Sequence, residues 1–152
     1  MLQLKIKQAL FKQCETFVNK RLQTVEETIL SNQKGLQSET KSSAGDKHET
    51  GRAMMQLEME KASQQLAGIY EMKEILSKIN ITKHSNIAHL GSLITTDVAT
   101  YFLAISAGQI TLAGSVYFAV SVSSPIGKLL LGKTVGDEVI FNFKKATIKR
   151  IK

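Results

Sequence analysis

Two carboxylates three positions apart, Asp46 and Glu49, stand in the polar stretch Gly45-Asp46-Lys47-His48-Glu49-Thr50-Gly51-Arg52. In a first helical turn that spacing puts both side chains on one face. Such a pair can bind Mg²⁺ through oxygen, but a tight site needs further ligands, such as those of a partner's own metal site. The same spacing is that of a capping box, with Asp46 opening a helix and Glu49 three residues on, where the helix dipole also favours negative charge. Both uses stay open. His48 lies between the two carboxylates, as a ligand, a proton carrier or a solvated loop residue. Lys41, Lys47 and Arg52 flank the pair and could steer it toward phosphates or an acidic surface.

Other chemistry is thinly represented. Cys14 is the single cysteine, which excludes an intrachain disulfide and a thiolate metal cluster and fits a reduced, cytoplasmic setting. It is expected as a small apolar core residue. His84 and His89 have no cysteine or carboxylate at metal-site spacing. Gly127-Lys128-Leu129-Leu130-Leu131-Gly132-Lys133-Thr134 matches the phosphate-loop pattern formally. Its Lys-Leu-Leu-Leu interior is helix-forming and apolar, so no nucleotide site is expected there. No nucleophile–base constellation or dinucleotide fingerprint is present. No bound cofactor is expected beyond a shared Mg²⁺.

The elements that would position Asp46 and Glu49 are two helices. Phe11, Cys14, Val18, Leu22, Val25 and Ile29 recur at steps of three and four, as do Met55, Met59, Ala62, Leu66, Ile69, Met72, Leu76 and Ile79. Each set is one apolar stripe on a helix of about 30 residues, roughly 45 Å long. Helices that long with one narrow stripe need a partner along their length, and each is the other's nearest candidate. Ser38–Gly45 between them is small and polar and is expected as the turn. The reading is an antiparallel coiled-coil hairpin over residues 1–80 with its tip near 38–49. Two helices of an ordinary bundle, or a homodimeric coiled coil, are the alternatives.

Residues 81–152 change character. Short runs rich in Val, Ile, Thr, Tyr and Phe predict strands at His89–Thr95, Thr100–Ile105, Val116–Val120, Val139–Phe143 and Ala146–Ile151. A short helix should interrupt them, with Ser124 as N-cap, Pro125 in the first turn and Gly132 at the stop. The fold class is therefore α+β, a helical hairpin followed by a small α+β domain. The charge is uneven: residues 1–80 carry 12 basic and 10 acidic side chains, residues 81–152 carry 8 and 3. No charged residue occurs from Val98 through Gly127, 30 positions that could span a bilayer. Glycines and hydroxyl residues dilute that run, and buried strands suit it better, so no membrane is expected. Met1 to Lys12 lacks a continuous apolar core, and no signal peptide is expected.

The stretch Val120-Ser121-Val122-Ser123-Ser124-Pro125-Ile126-Gly127-Lys128-Leu129-Leu130-Leu131-Gly132-Lys133-Thr134-Val135-Gly136-Asp137-Glu138-Val139 resembles the C-terminal domain of bacterial Gre transcript cleavage factors. Its Ser-Ser-Pro-Ile, Leu-Leu-Gly-Lys and Val-Gly-Asp-Glu-Val pieces arrive in that family's order and spacing. His89-Leu90-Gly91-Ser92-Leu93-Ile94 is similar to the opening strand of the same domain, and Gly45-Asp46-Lys47-His48-Glu49 is similar to the family's hairpin tip. The resemblance implies an FKBP-like C-terminal domain without prolyl isomerase activity, docked on bacterial RNA polymerase. Ser123, Ser124, Pro125 and Ile126 would contact that partner. Asp46 and Glu49 would enter the secondary channel and help hold a catalytic Mg²⁺ and the water that cleaves backtracked RNA. Nascent RNA would be met indirectly, inside the polymerase. The chain would then be a cofactor protein of the polymerase rather than a complete enzyme. The sequence departs from the family at Thr50-Gly51-Arg52-Ala53, where an Asn-Ala-Glu-Tyr-like run is usual, and in its basic net charge of +7. Relatives of this shape also occupy the channel without stimulating cleavage, which is the alternative reading.

Overall fold

The structure is a computed structural model that describes the backbone of residues 2–41 and 45–152 and the side chains of residues 2–35 and 50–152. Helices α1 (Leu2–Lys41) and α2 (Gly45–Ser77) are followed by β1 (Leu93–Thr96), β2 (Thr100–Ala104), β3 (Gly108–Leu112), β4 (Ser115–Ser121), α3 (Pro125–Leu130), β5 (Glu138–Phe141) and β6 (Lys144–Ile151). The architecture is α+β. Contacts divide the chain into two compact units, one of Val18–Lys73 and one of Met1–Phe17 with Glu74–Lys152.

The Val18–Lys73 unit contains only α1 and α2 segments. Val18 and Val25 on α1 and Ala62 and Ile69 on α2 are buried, and within this unit each helix can be covered only by the other. Gly35 and Met55 mark the closest approach: a Cβ at Gly35 would lie 2.9 Å from the Met55 methyl. Every described member of the two expected stripes is buried or half-buried. Helix α1 is longer than its pattern suggests. The segment Ser38–Lys41, expected in the turn, is helical; it contains no glycine or proline that would stop α1.

In the other unit the strands form one sheet in the order β3-β4-β2-β1-β6-β5. Neighbours are antiparallel except β2 and β4, which run parallel. Register puts Ile94, Tyr101, Leu103 and Val120 on one face, where α3 supplies Ile126 and Leu130. The opposite face carries Leu93, Phe102 and Ala119. The same unit includes the start of α1, where Leu10 and Cys14 are fully buried. The uncharged run 98–127 folds as β2, β3, β4 and the start of α3; consecutive residues are buried in β2, whereas β3 and β4 bury only Ile110 and Ala119. Among the described residues no helix is long and apolar enough to cross a membrane.

Two hairpins use left-handed turn residues, Ala113-Gly114 between β3 and β4 and Asn142-Phe143 between β5 and β6. Strand β3 was not expected, because Gly108-Gln109-Ile110-Thr111-Leu112 offers a single fully apolar anchor, Ile110, to the sheet. The expected strand at His89 starts only at Leu93. Before it, Ser92 N–H bonds the His89 carbonyl at 2.9 Å and Gly91 takes φ +95°, a tight turn in place of extended chain. The strand expected to reach Phe143 ends at Phe141 for the same reason, a turn at the next two residues.

Phe143 is fully exposed and holds φ +65°. Its side chain contributes no burial, while left-handed backbone costs a non-glycine residue about 1 kcal/mol. Phe143→Gly should therefore raise the unfolding free energy by about 1 kcal/mol, read by chemical denaturation. Cys14 gives a second expectation. Burial pushes its thiol from 9.0 up to about 12, against a smaller opposing effect of the Ile105 hydrogen bond. In the unfolded chain the thiol ionises near 9, so stability should fall as pH rises from 9 toward 12, and Cys14→Ala should flatten that limb of the pH–stability curve.

Candidate functional site

Residues Ser121–Asp137 join β4 to β5 through α3, and their geometry follows from one close approach. A Cβ at Gly127 would stand 1.8 Å from the Ser121 carbonyl oxygen, so only glycine lets α3 start against the end of β4. Ser124 caps that start. Its hydroxyl donates to the Ser121 carbonyl at 2.6 Å and accepts from Gly127 N–H at 3.1 Å. Pro125 fills the first helical turn, where a missing N–H costs nothing. Gly132 follows the C-cap with φ +81°. Ser123 is fixed beside this cap, its N–H donating to the Ser121 hydroxyl at 3.1 Å and the two hydroxyls 2.8 Å apart.

The four residues assigned to partner contact thus divide. Ser123 and Pro125 are exposed, Ser124 is half-buried in its capping role, and Ile126 is buried in the core against α3's face of the sheet. Ile126 also lines a cavity of about 160 Å³ with Val98, Tyr101, Val139 and Phe141, a largely apolar space beneath α3. The formal phosphate-loop match has a structural origin: Gly127 sits inside a helix, with its N–H spent on Ser124.

The Val135-Gly136-Asp137 turn is built the same way. Asp137 accepts from Thr134 N–H at 2.8 Å and from its hydroxyl at 3.1 Å, and these bonds, foremost the backbone one, hold its carboxyl below 3.8. Gly136, at φ +94°, donates its N–H to the Ile148 carbonyl, tying the turn to β6. His89 sits in the turn before β1, its N–H on the Ser92 hydroxyl and Nδ1 within 2.9 Å of the same oxygen; its Nε2 is buried without a partner.

Asp46 and Glu49 belong to the first turns of α2 by backbone, but their side chains, with those of Lys41, Lys47 and His48, lie outside the described residues. Thr50 and Arg52, next along α2, are exposed. Among the described residues no group of three or more His, Cys, Asp or Glu stands together that could hold a metal ion.

Sequence reasoning missed Lys7 and Leu10. Both continue the α1 stripe toward the N-terminus at steps of three and four from Cys14, and both are buried. The signal was present for Leu10; Lys7 carried none, because a lysine in a stripe normally marks its edge. No protein-family model and no curated protein matches the chain.

Gly127→Ala should cost about 3 kcal/mol through the clash with Ser121, and Ser124→Ala about 1 kcal/mol through the lost cap. Urea unfolding of the two variants beside wild type checks both the size and the order.

Proposed function

We propose that this chain is an RNA polymerase-binding factor of the Gre type, which presents Asp46 and Glu49 at the apex of its α1–α2 hairpin to the polymerase's own catalytic Mg²⁺ and there stimulates cleavage of backtracked RNA. The observation that carries the reading is the stretch Val120–Val139. Its three family-like pieces each occupy a defined place in one compact unit: the Ser124 cap with Pro125, the end of α3 with Gly132 at φ +81°, and the Asp137-braced turn into β5. The second unit, with α3 packed on one face of its mixed sheet, is read as the FKBP-like domain. Ser123 and Pro125 would be its exposed contacts with the polymerase, beside the rigid cap that fixes them.

The chemistry asked of the chain is modest. Two carboxylates delivered to an existing Mg²⁺ site add oxygen ligands and can orient a water for in-line attack on the RNA phosphodiester. Helix rigidity fixes their mutual spacing, while the partner supplies the remaining ligands and the substrate. The chain therefore acts as a cofactor protein, and Mg²⁺ is shared with the polymerase.

One sequence observation favours a second reading, occupation of the channel without cleavage: Thr50-Gly51-Arg52-Ala53 puts a cation and a glycine directly after Glu49. The two readings separate in a purified backtracked elongation complex. Wild type should shorten the RNA, and the Asp46→Ala, Glu49→Ala double variant should lose this activity while binding core polymerase as before. Polymerase binding with no cleavage by either protein establishes the channel-occupying reading instead, and absence of binding by wild type rejects both.

A further inference from the structure

A cleft of about 270 Å³ opens between the first turns of α1 and the chain that follows α2. Lysines converge on it from three places in the sequence, Lys7 from α1, Lys83 from the α2–β1 connection and Lys152 after β6, with His84 beside Lys83. Leu4 and Ile81 form its apolar walls, and no aspartate or glutamate lines it.

Lys7 is the informative member. Its side chain is buried, with 3% of the residue exposed, yet it lines the cleft and has no hydrogen-bond or ion-pair partner among the described residues. Burial alone pushes its pKa down from 10.5. An uncompensated ammonium at such a position is costly, and the usual compensation is an opposite charge. Among the described residues no aspartate or glutamate side chain lines the cleft; the main-chain oxygen of Lys152, whose residue lines it, accepts from the Leu93 N–H at 2.8 Å. The start of α1 adds to the imbalance, since the first turn of a helix carries unsatisfied N–H groups and a partial positive charge, and Gln3 and Leu4 of that turn line the same cleft.

A single carboxylate would neutralise only one of these cations. A terminal phosphate carries close to two negative charges at neutral pH and offers three oxygens to donors arriving from different directions. The cleft has room for more than one phosphoryl group, about nine water volumes at roughly 30 Å³ each. We propose that this cleft binds a small phosphorylated anion, with the Lys7 ammonium at its floor and Lys83, His84 and Lys152 at its rim. The site is independent of the α1–α2 apex and of the polymerase reading.

Titration calorimetry of the full chain at low salt tests the site, with inorganic pyrophosphate and with a nucleoside diphosphate as probes. Wild type should bind pyrophosphate with a Kd below about 1 mM, and Lys7→Met should weaken it about tenfold or more. Methionine keeps the buried stem, so Lys7→Met should melt no lower than wild type without ligand, and pyrophosphate should raise the Tm of wild type only. Lys83→Met, at the exposed rim, should weaken binding severalfold and keeps the test valid if Lys7→Met fails to fold. Tighter binding of the nucleoside diphosphate would assign the Leu4–Ile81 wall to the organic part of the ligand; equal binding would assign the site to the phosphates alone. No heat and no Tm shift with millimolar pyrophosphate, or unchanged binding in both variants, overturns the proposal.

Discussion

Strand β2 lies in the interior of the sheet with Phe102 and Leu103 both fully buried, on opposite faces. Consecutive residues of a strand point to opposite sides, so this pair can be buried only if each face has its own cover. On one side the cover is α3, held against β4 by Gly127 and the Ser124 cap. The same unit also takes in chain distant in sequence, Met1–Phe17 with the fully buried Leu10 and Cys14, and the end of α2 with the buried Leu76.

This arrangement collects lysines around one cleft. It brings the start of α1 to the chain that leaves α2 and to the end of β6, three segments each rich in lysine. The core admits the apolar side chains of that helical stripe, but Lys7 falls on the same stripe and is carried inward with it. Burial of Leu10 and Cys14 on the same stripe thus goes with a buried lysine that faces no aspartate or glutamate side chain among the described residues of the cleft. The same logic applies on a smaller scale in the Val18–Lys73 unit, where Asn32 on the α1 stripe keeps its Nδ2 buried without a partner.

The polar groups of the β4–β5 connection serve the opposite purpose. Ser121, Ser124, Thr134 and Asp137 spend their side-chain hydrogen bonds on groups within three residues, and so fix the path of a short helix whose six residues could not hold it alone. Exposed Ser123 and Pro125 inherit that rigidity. A contact surface built on such a brace loses little conformational entropy on binding.

The sequence alone determined whatever depends on local spacing. Steps of three and four defined both helical stripes, since a helix must bury one face; Ser124, Pro125 and Gly132 marked the ends of α3, since caps and stops act within a few residues. The α+β class followed from the change in pattern near Ile81. Tertiary structure decided the rest. It made Ser38–Lys41 helical and Gly108–Leu112 a strand, the first by continuing a helix already paired, the second by offering β4 as a neighbour to a segment with little apolar character of its own. It turned the uncharged run 98–127 into β2, β3, β4 and the start of α3. It also decided the fate of Lys7, whose burial and lack of a counter-charge arise only when residues 7, 83, 84 and 152 meet, because long-range proximity leaves no periodic trace in the chain.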